Sequence, residues 1–242
     1  LDGVVWLSGQ PIAGAAAAIA RLRAAGRRVL FATNNSSVPL AEQEAKLAGF
    51  GIPAHGDVMT SAMAAARLVE PGERVLVCGG PGITEAVTAR GAVAVRDGDA
   101  EAVAVGFHRD FDYERLRVAA RAVDCGARLI ATNDDATYPT PDGPIPGGGA
   151  IVAAVAYATG VTPVIAGKPH RPMADLVREE GGAEGTVVGD RPETDGAFAR
   201  ALGYRFALVL TGVTQATDLP VAPAPDVVAA SLSALVAVNQ GQ

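Results

Sequence analysis

Short runs of β-branched and apolar residues alternate with alanine-rich stretches along almost the whole chain, the pattern of strands interleaved with helices. Strands are predicted at Val29–Ala32, Val75–Cys78, Val103–Phe107, Leu129–Ala131, Thr186–Gly189 and Ala207–Leu210. Helices are predicted between them, at Ala13–Ala25, Leu40–Ala48, Ser61–Leu68, Ile83–Arg90, Tyr113–Val123, Ala150–Thr159, Pro172–Glu179 and Glu193–Ala201. Gly26 and Gly49 stand just past the first two helices, where the left-handed backbone that closes a helix is tolerated. The alternation predicts an α/β fold around a largely parallel sheet.

Two turn-rich stretches interrupt the pattern. Glu70-Pro71-Gly72-Glu73 breaks the chain just before a new strand. Tyr138–Gly149 holds four prolines and four glycines in twelve residues, too many for either regular element. Between the breaks lies a unit with strands and helices of its own. The polar segments described below fall on both sides of it, which predicts one domain inserted into another: residues 1–72 with 161–242 as the host and 73–160 as the insertion.

Composition narrows the class. The chain has 242 residues, 49% of them hydrophobic and 19% charged, enough apolar material for a substantial core and too much for a disordered protein. Its longest apolar runs, around Ala13–Ala20 and Ala150–Ala158, fall far short of the ~18 residues of a membrane span. A formal charge of −6 argues against non-specific nucleic-acid binding. Cys78 and Cys125 lie far apart without metal-ligand spacing, which fits a reduced, cytoplasmic compartment. The sequence begins at Leu1 and nothing in it resembles a signal peptide, so a trimmed or unseen start is expected.

Four short segments place polar groups where strands end, which is where open α/β sheets bind ligands. They are Leu1-Asp2-Gly3, Thr33-Asn34-Asn35-Ser36, Gly167-Lys168-Pro169 and the segment from Gly189 to Asp195. Each alone has an ordinary reading. Thr33 and the asparagines could cap a helix, Asp2 could be a turn aspartate, and Asp195 a helix-start carboxylate. Lys168 could be a solvated surface lysine. Composition speaks against that last reading, because eighteen of the 20 basic residues are arginine and only Lys46 and Lys168 are lysine. A compact ammonium kept in a tight Gly-Lys-Pro turn differs from a planar guanidinium fork.

Jointly, and in this order, the four segments resemble the four motifs of the haloacid dehalogenase (HAD) superfamily of phosphohydrolases. Leu1-Asp2-Gly3-Val4-Val5, the Thr33 block, the loop from Ala131-Thr132-Asn133 through Tyr138-Pro139-Thr140-Pro141-Asp142-Gly143 to Gly149, Gly167-Lys168-Pro169 and Thr211-Gly212-Val213-Thr214 resemble its NagD-like subfamily. That group holds p-nitrophenyl, phosphoglycolate and glycerol-phosphate phosphatases. The resemblance covers essentially the whole chain and implies a Rossmann-like core with an inserted α/β cap of the C2 type. It also implies a small phosphorylated metabolite as substrate, sugar phosphates included, and a homodimer through the cap. One departure stands out. The family's first motif reads Asp-x-Asp, and here Leu1 is the x and Asp2 the second Asp. The nucleophile is therefore expected immediately before Leu1. The alternative is a non-catalytic phosphate-ligand binder that has lost it.

The resemblance also implies roles. Mg²⁺ would be held by the expected nucleophile, the backbone carbonyl of Asp2 and the Asp190 carboxylate, with Asp195 orienting that shell. Lys168 would offset charge on the nucleophile and a phosphoryl oxygen. The Thr33 hydroxyl and the Asn34 N–H would hold the phosphoryl oxygens. Asp2 would protonate the leaving alkoxide and then deprotonate the attacking water.

Other features carry plainer expectations. Cys78-Gly79-Gly80-Pro81-Gly82 lacks the full dinucleotide fingerprint and reads as a βα turn. A nicotinamide-dependent oxidoreductase would rest on that turn alone. His108-Arg109 is read either as facing a substrate or as an exposed pair, and His170 as a surface-loop histidine. Gly147-Gly148-Gly149 is read as a hinge or as an anion-approaching helix start. Asp134-Asp135 is read either as a second metal site or as solvated carboxylates, both cysteines as small core residues, and Trp6 as packing near the mouth of the site.

Overall fold

The computed structural model describes residues 1–140 and 142–238; Pro141, in the proline- and glycine-rich stretch, lies outside the described residues. The chain folds as two compact units. One comprises Leu1–Ala32, Glu44–Val58 and the segment from Ala174 on; the other comprises Thr33–Gln43 and Met59–Met173. Among the described residues no helix is long and apolar enough to cross a membrane.

The first unit is built on a parallel sheet in which Arg205–Val209 lies between Thr186–Gly189 and Val227–Ala229. Phe206, Ala207, Leu208 and Val209 of the middle strand are fully buried. Such an uninterrupted apolar run is what a strand needs when both faces are covered. Helix Ala197–Leu202 lays Phe198, Ala199 and Leu202 inside, and each large side chain so buried contributes about 1.5–3 kcal/mol. Near the start of the chain Trp6–Leu7 and Gln10–Pro11 form a small antiparallel hairpin. Its two-residue turn carries Ser8 at φ 48° and Gly9 at φ 80°.

The second unit holds a five-stranded parallel sheet. Its order is Val164–Ile165, Arg128–Ala131, Ala102–Val105, Arg74–Cys78 and Val93–Val95. Helices Tyr113–Asp124 and Gly148–Thr159 share one apolar cluster with this sheet through Ala119, Val123, Ile151 and Val155. The parallel α/β architecture read from the sequence is therefore present in both units.

The differences from the sequence reading have local causes. Tyr138–Gly149 is not devoid of regular structure: Thr137–Thr140 pairs antiparallel with Gly143–Pro146. Pro139 and Pro144 are register partners, so both missing N–H donors fall on one rung of a two-stranded hairpin, which packs back on the unit through Tyr138 stacked on Phe107. The helix expected at Glu193–Ala201 begins instead as a π-helical turn, Pro192–Gly196, and becomes α-helical only at Ala197–Leu202. Helix Leu40–Gly49 runs through Gly49, and the left-handed residue is Gly51 at φ 77°. Cys125 is exposed rather than in the core, because it closes the helix ahead of Gly126 at φ 104°.

Candidate functional site

Asp2, Asp190 and Asp195 belong to the first unit; Thr33, Asn34 and Lys168 belong to the second. Within the first, the backbone winds tightly around the Leu1 carbonyl, which accepts the N–H groups of Val4 (3.3 Å), Val5 (2.9 Å) and Trp6 (3.4 Å). Gly3 N–H returns the bond to the Trp6 carbonyl at 2.7 Å. This turn presents the exposed Asp2. Gly3 sits at φ 71°, and a Cβ there would collide with the Asp190 carboxylate. Only glycine meets both demands. The Trp6 indole N–H donates to Asp2 Oδ1 at 2.9 Å.

Asp190 follows strand Thr186–Gly189 directly and is 5% exposed; Asp195 is 7% exposed. The π-helical turn brings the second carboxylate back to the first residue. Asp195 Oδ2 accepts the N–H groups of Asp190 at 3.2 Å and Arg191 at 3.3 Å, while its own N–H donates to the Arg191 carbonyl at 2.6 Å. A π turn at a functional position is a recurrent arrangement. Asp190 Oδ2 accepts from Val213 N–H at 2.8 Å, and the Thr214 hydroxyl donates to the Asp190 carbonyl at 2.6 Å. Burial raises the Asp190 carboxyl above its ordinary range; the Val213 N–H opposes this and the charge of Asp195 adds to it.

In the second unit the Asn34 side chain clasps the backbone of Lys168. Its Oδ1 accepts the Lys168 N–H at 2.7 Å and its Nδ2 donates to the Lys168 carbonyl at 3.1 Å. Nδ2 also donates to Asp135 Oδ2 at 3.0 Å. The Asn34 carbonyl accepts from Ser61 Oγ and from Asn133 Nδ2, both at 2.8 Å. Thr33 is buried and its hydroxyl accepts Asn35 N–H at 3.1 Å. A side chain at position 167 would strike the Thr132 carbonyl and Asn34 Oδ1, so Gly167 lets Lys168 reach the asparagine.

Several secondary expectations change. Asp134 and Asp135 are tied into this network rather than merely solvated: Asp135 accepts from Asn34, and Asp134 Oδ2 lies 2.8 Å from His170 Nε2. His170 is thus a paired histidine, half-buried. His108 is 7% exposed, with Nδ1 3.0 Å from the Gly106 carbonyl, while Arg109 is exposed; the two are not a matched pair. Side chains at Gly80 and Gly82 would fall on the Ser37 and Val38 carbonyls. The glycine-rich segment is a packed βα turn, as expected. Among the contacts that escaped the sequence reading are Trp6 on Asp2 and His170 on Asp134. The first was within reach, since a turn aspartate followed by an aromatic N–H donor four positions on invites a local bond.

Among the described residues no three His, Cys, Asp or Glu side chains converge as a metal cage. Asp190 and Asp195 nonetheless fit a hard divalent cation. They are two buried carboxylates five residues apart, and Mg²⁺ is commonly held by one or two carboxylates plus waters and a substrate's phosphate.

Two family models match the chain: haloacid dehalogenase-like hydrolase over residues 1–93 and HAD-hydrolase-like over residues 165–235. A D-glycerol 3-phosphate phosphatase of Mycobacterium tuberculosis is 40% identical over 226 residues, covering 90% of this chain. The chain spans 63% of that relative's length. An acid sugar phosphatase of Staphylococcus saprophyticus is 36% identical, with 90% of this chain and 87% of the relative covered. A crystal structure of a glycerol phosphate phosphatase from Mycobacterium tuberculosis in complex with magnesium superposes with a TM-score of 0.90 at 37% identity. It covers 97% of this chain and 74% of that one.

Proposed function

This chain belongs to the haloacid dehalogenase-like hydrolases, and we propose that it is a Mg²⁺-dependent phosphatase of small phosphate monoesters working through an aspartyl-phosphate. The observation that carries the reading is the buried Asp190–Asp195 pair beside the Asp2-Gly3 turn. Two carboxylates taken out of water in one place call for a cation. Asp190 would hold it directly, with the Asp2 carbonyl and the position before Leu1, and Asp195 would orient Asp190. When bound, Mg²⁺ offsets the charge of the phosphate dianion and of the attacking carboxylate.

The register of the first motif assigns the nucleophile to the position before Leu1. Its carboxylate attacks phosphorus, the P–O bond to the alcohol breaks, and the departing alkoxide takes the proton of Asp2. Water then attacks the acyl phosphate and gives a proton back to Asp2, releasing phosphate. The family resemblance gives the Thr33 hydroxyl and the Asn34 N–H the role of binding the transferring phosphoryl oxygens, and Lys168 that of neutralising one of them. The division into a core, 1–72 with 161–242, and a cap, 73–160, is proposed with the mechanism. The cap residues then set selectivity, and the relatives' names point to glycerol phosphate and sugar phosphates as the class.

A screen of phosphate release across a panel of phosphorylated metabolites tests the substrate class. Small esters are expected to turn over and folded phosphoproteins hardly at all; no release from any ester overturns the reading. Sequencing the gene upstream of Leu1 tests the covalent step. An apolar strand ending in Asp is expected, and any other residue there removes the aspartyl-phosphate.

A further inference from the structure

We propose that Asp135 is a positioning residue that aims Lys168, acting through the side-chain amide of Asn34. The inference rests on the reading of Lys168 as the group that neutralises a phosphoryl oxygen, and adds a support to it. It gives the Asp134-Asp135 pair a part in the reaction that the four motifs leave unassigned.

All the groups concerned lie in the second unit. The His170 N–H donates to the Gly167 carbonyl at 2.8 Å and closes a four-residue turn with Lys168 at its second position. Asn34 grips the turn at Lys168. A backbone N–H only donates and a carbonyl only accepts, so the grip exists in one orientation of the amide. Oδ1 must face the Lys168 N–H, at 2.7 Å, and Nδ2 the Lys168 carbonyl, at 3.1 Å. Turned over, the amide would lose both bonds. Asp135 Oδ2 takes a second hydrogen of Nδ2, at 3.0 Å. A carboxylate oxygen attracts the amide N–H and repels the amide oxygen, so Asp135 selects the gripping orientation over the reverse.

Asp135 can select because its own backbone is held. Its N–H donates to Asn133 Oδ1 at 3.2 Å, and its carbonyl accepts the Gly149 N–H at 2.9 Å. Asn133 Nδ2 donates in turn to the Asn34 carbonyl at 2.8 Å, so one loop holds both the side chain and the backbone of Asn34. A Cβ at Gly147 would strike the Asp135 carbonyl, and one at Gly149 the Asp134 carbonyl. Those glycines let the start of helix Gly148–Thr159 lie directly against the loop. Asp134 reaches the far end of the turn, with Oδ2 2.8 Å from His170 Nε2. Adjacent carboxylates therefore meet the turn at two points. With the N–H and the carbonyl of Lys168 both fixed, its Cα–Cβ bond leaves in one direction and the ammonium starts from a fixed base. A misplacement of about 1 Å in a group that works by position costs up to about 100-fold in rate. Asp135 touches neither substrate nor reacting atoms and acts only through Asn34 and Lys168.

The test reads kcat and KM for p-nitrophenyl phosphate in the full protein. Asp135→Ala should lower kcat by about 10–100-fold, with KM changed less. Asp135→Asn keeps a side-chain oxygen that accepts from Asn34 and should regain most of that loss. Asp135→Ala at the wild-type kcat, or Asp135→Asn as slow as Asp135→Ala, overturns the proposal. Lys168→Met separates the proposal from the reading beneath it. Lys168→Met should itself be slow, and in that background Asp135→Ala should cost nothing further. A full further loss overturns the proposal and leaves the reading of Lys168 standing. Lys168→Met at the wild-type kcat overturns that reading, and the proposal with it. A second measurement needs no turnover. In Asp135→Ala the Lys168 amide should exchange with solvent about 10-fold faster by NMR, the worth of one lost hydrogen bond. The amides of strand Ala102–Val105 should exchange as in the wild type. An unchanged Lys168 amide shows that the grip does not depend on Asp135. Equal acceleration in the strand shows that Asp135 supports the whole unit rather than the turn. Either result overturns the proposal.

Discussion

The acidic group in the first unit and the polar group in the second are held by opposite means. Asp190 and Asp195 are buried carboxylates whose charges oppose one another, and burial already lifts the Asp190 carboxyl above its ordinary range. Asn34, by contrast, satisfies itself within its own unit, giving and accepting hydrogen bonds with the Lys168 backbone and with Asp135. The first group sets two buried like charges together, which a bound cation would offset; in the second, the Asn34 side chain already has its partners within the protein. Function and stability should therefore pull apart in the first unit and coincide in the second.

The largest effect expected is on metal binding. In the absence of metal Asp190→Asn should melt no lower than the wild type, because it removes one of two buried like charges. Mg²⁺ at about 100 times its dissociation constant should stabilise the wild type by about 2.7 kcal/mol and leave Asp190→Asn unmoved. Asp195→Asn should retain the response with affinity weakened about 10–100-fold, as for a group that orients a ligand. Thermal melts with and without Mg²⁺ read all three, and equal responses in the two variants would remove the distinction between them.

Next in size is Asn34→Ala, which leaves the Lys168 N–H and carbonyl without their side-chain partners. Urea unfolding should show a loss of about 1–3 kcal/mol with no Mg²⁺ added. A neutral Asn34→Ala would mean that the second group is no better satisfied than the first, and the contrast would collapse.

The smallest effect concerns thiols in the second unit. Burial pushes the Cys78 thiol up to about 11, while Cys125 is exposed. Iodoacetamide at pH 8 should label Cys125 readily and Cys78 only on unfolding. The raised folded value favours the protonated thiol, so its contribution to stability is complete below the unfolded thiol's ordinary pKa. That contribution is lost as pH rises through about 11. Equal labelling rates at pH 8 would show that the sheet around Cys78 opens freely.

The same contrast explains what the sequence made legible. Thr186–Gly189 is found at its predicted bounds because an apolar run ending in glycine needs no distant information. Asp190 and Asp195 were readable as a pair because they are five residues apart on one turn, although the turn proved π-helical rather than α-helical. The Asn34–Lys168 clasp spans 134 residues, and no local pattern encodes which backbone a side-chain amide will meet. The hairpin Thr137–Pro146 was hidden by its prolines, whose tolerance depends on their facing each other across the ladder. Cys125 was misread because apolar character says nothing about a helix end that faces solvent. Trp6 was placed as packing and is buried, yet the polar end of its ring carries the contact with Asp2.

The central claim is that the buried carboxylates of the first unit serve a metal-dependent phosphatase. Its most direct test is phosphate release from glycerol 3-phosphate and p-nitrophenyl phosphate by the full protein, measured with Mg²⁺, with a chelator, and with Mg²⁺ on Asp190→Asn. Release should appear with Mg²⁺, stop with the chelator, and be lost in Asp190→Asn on both substrates although the variant remains folded. Undiminished release by Asp190→Asn, or in the presence of the chelator, would contradict the account.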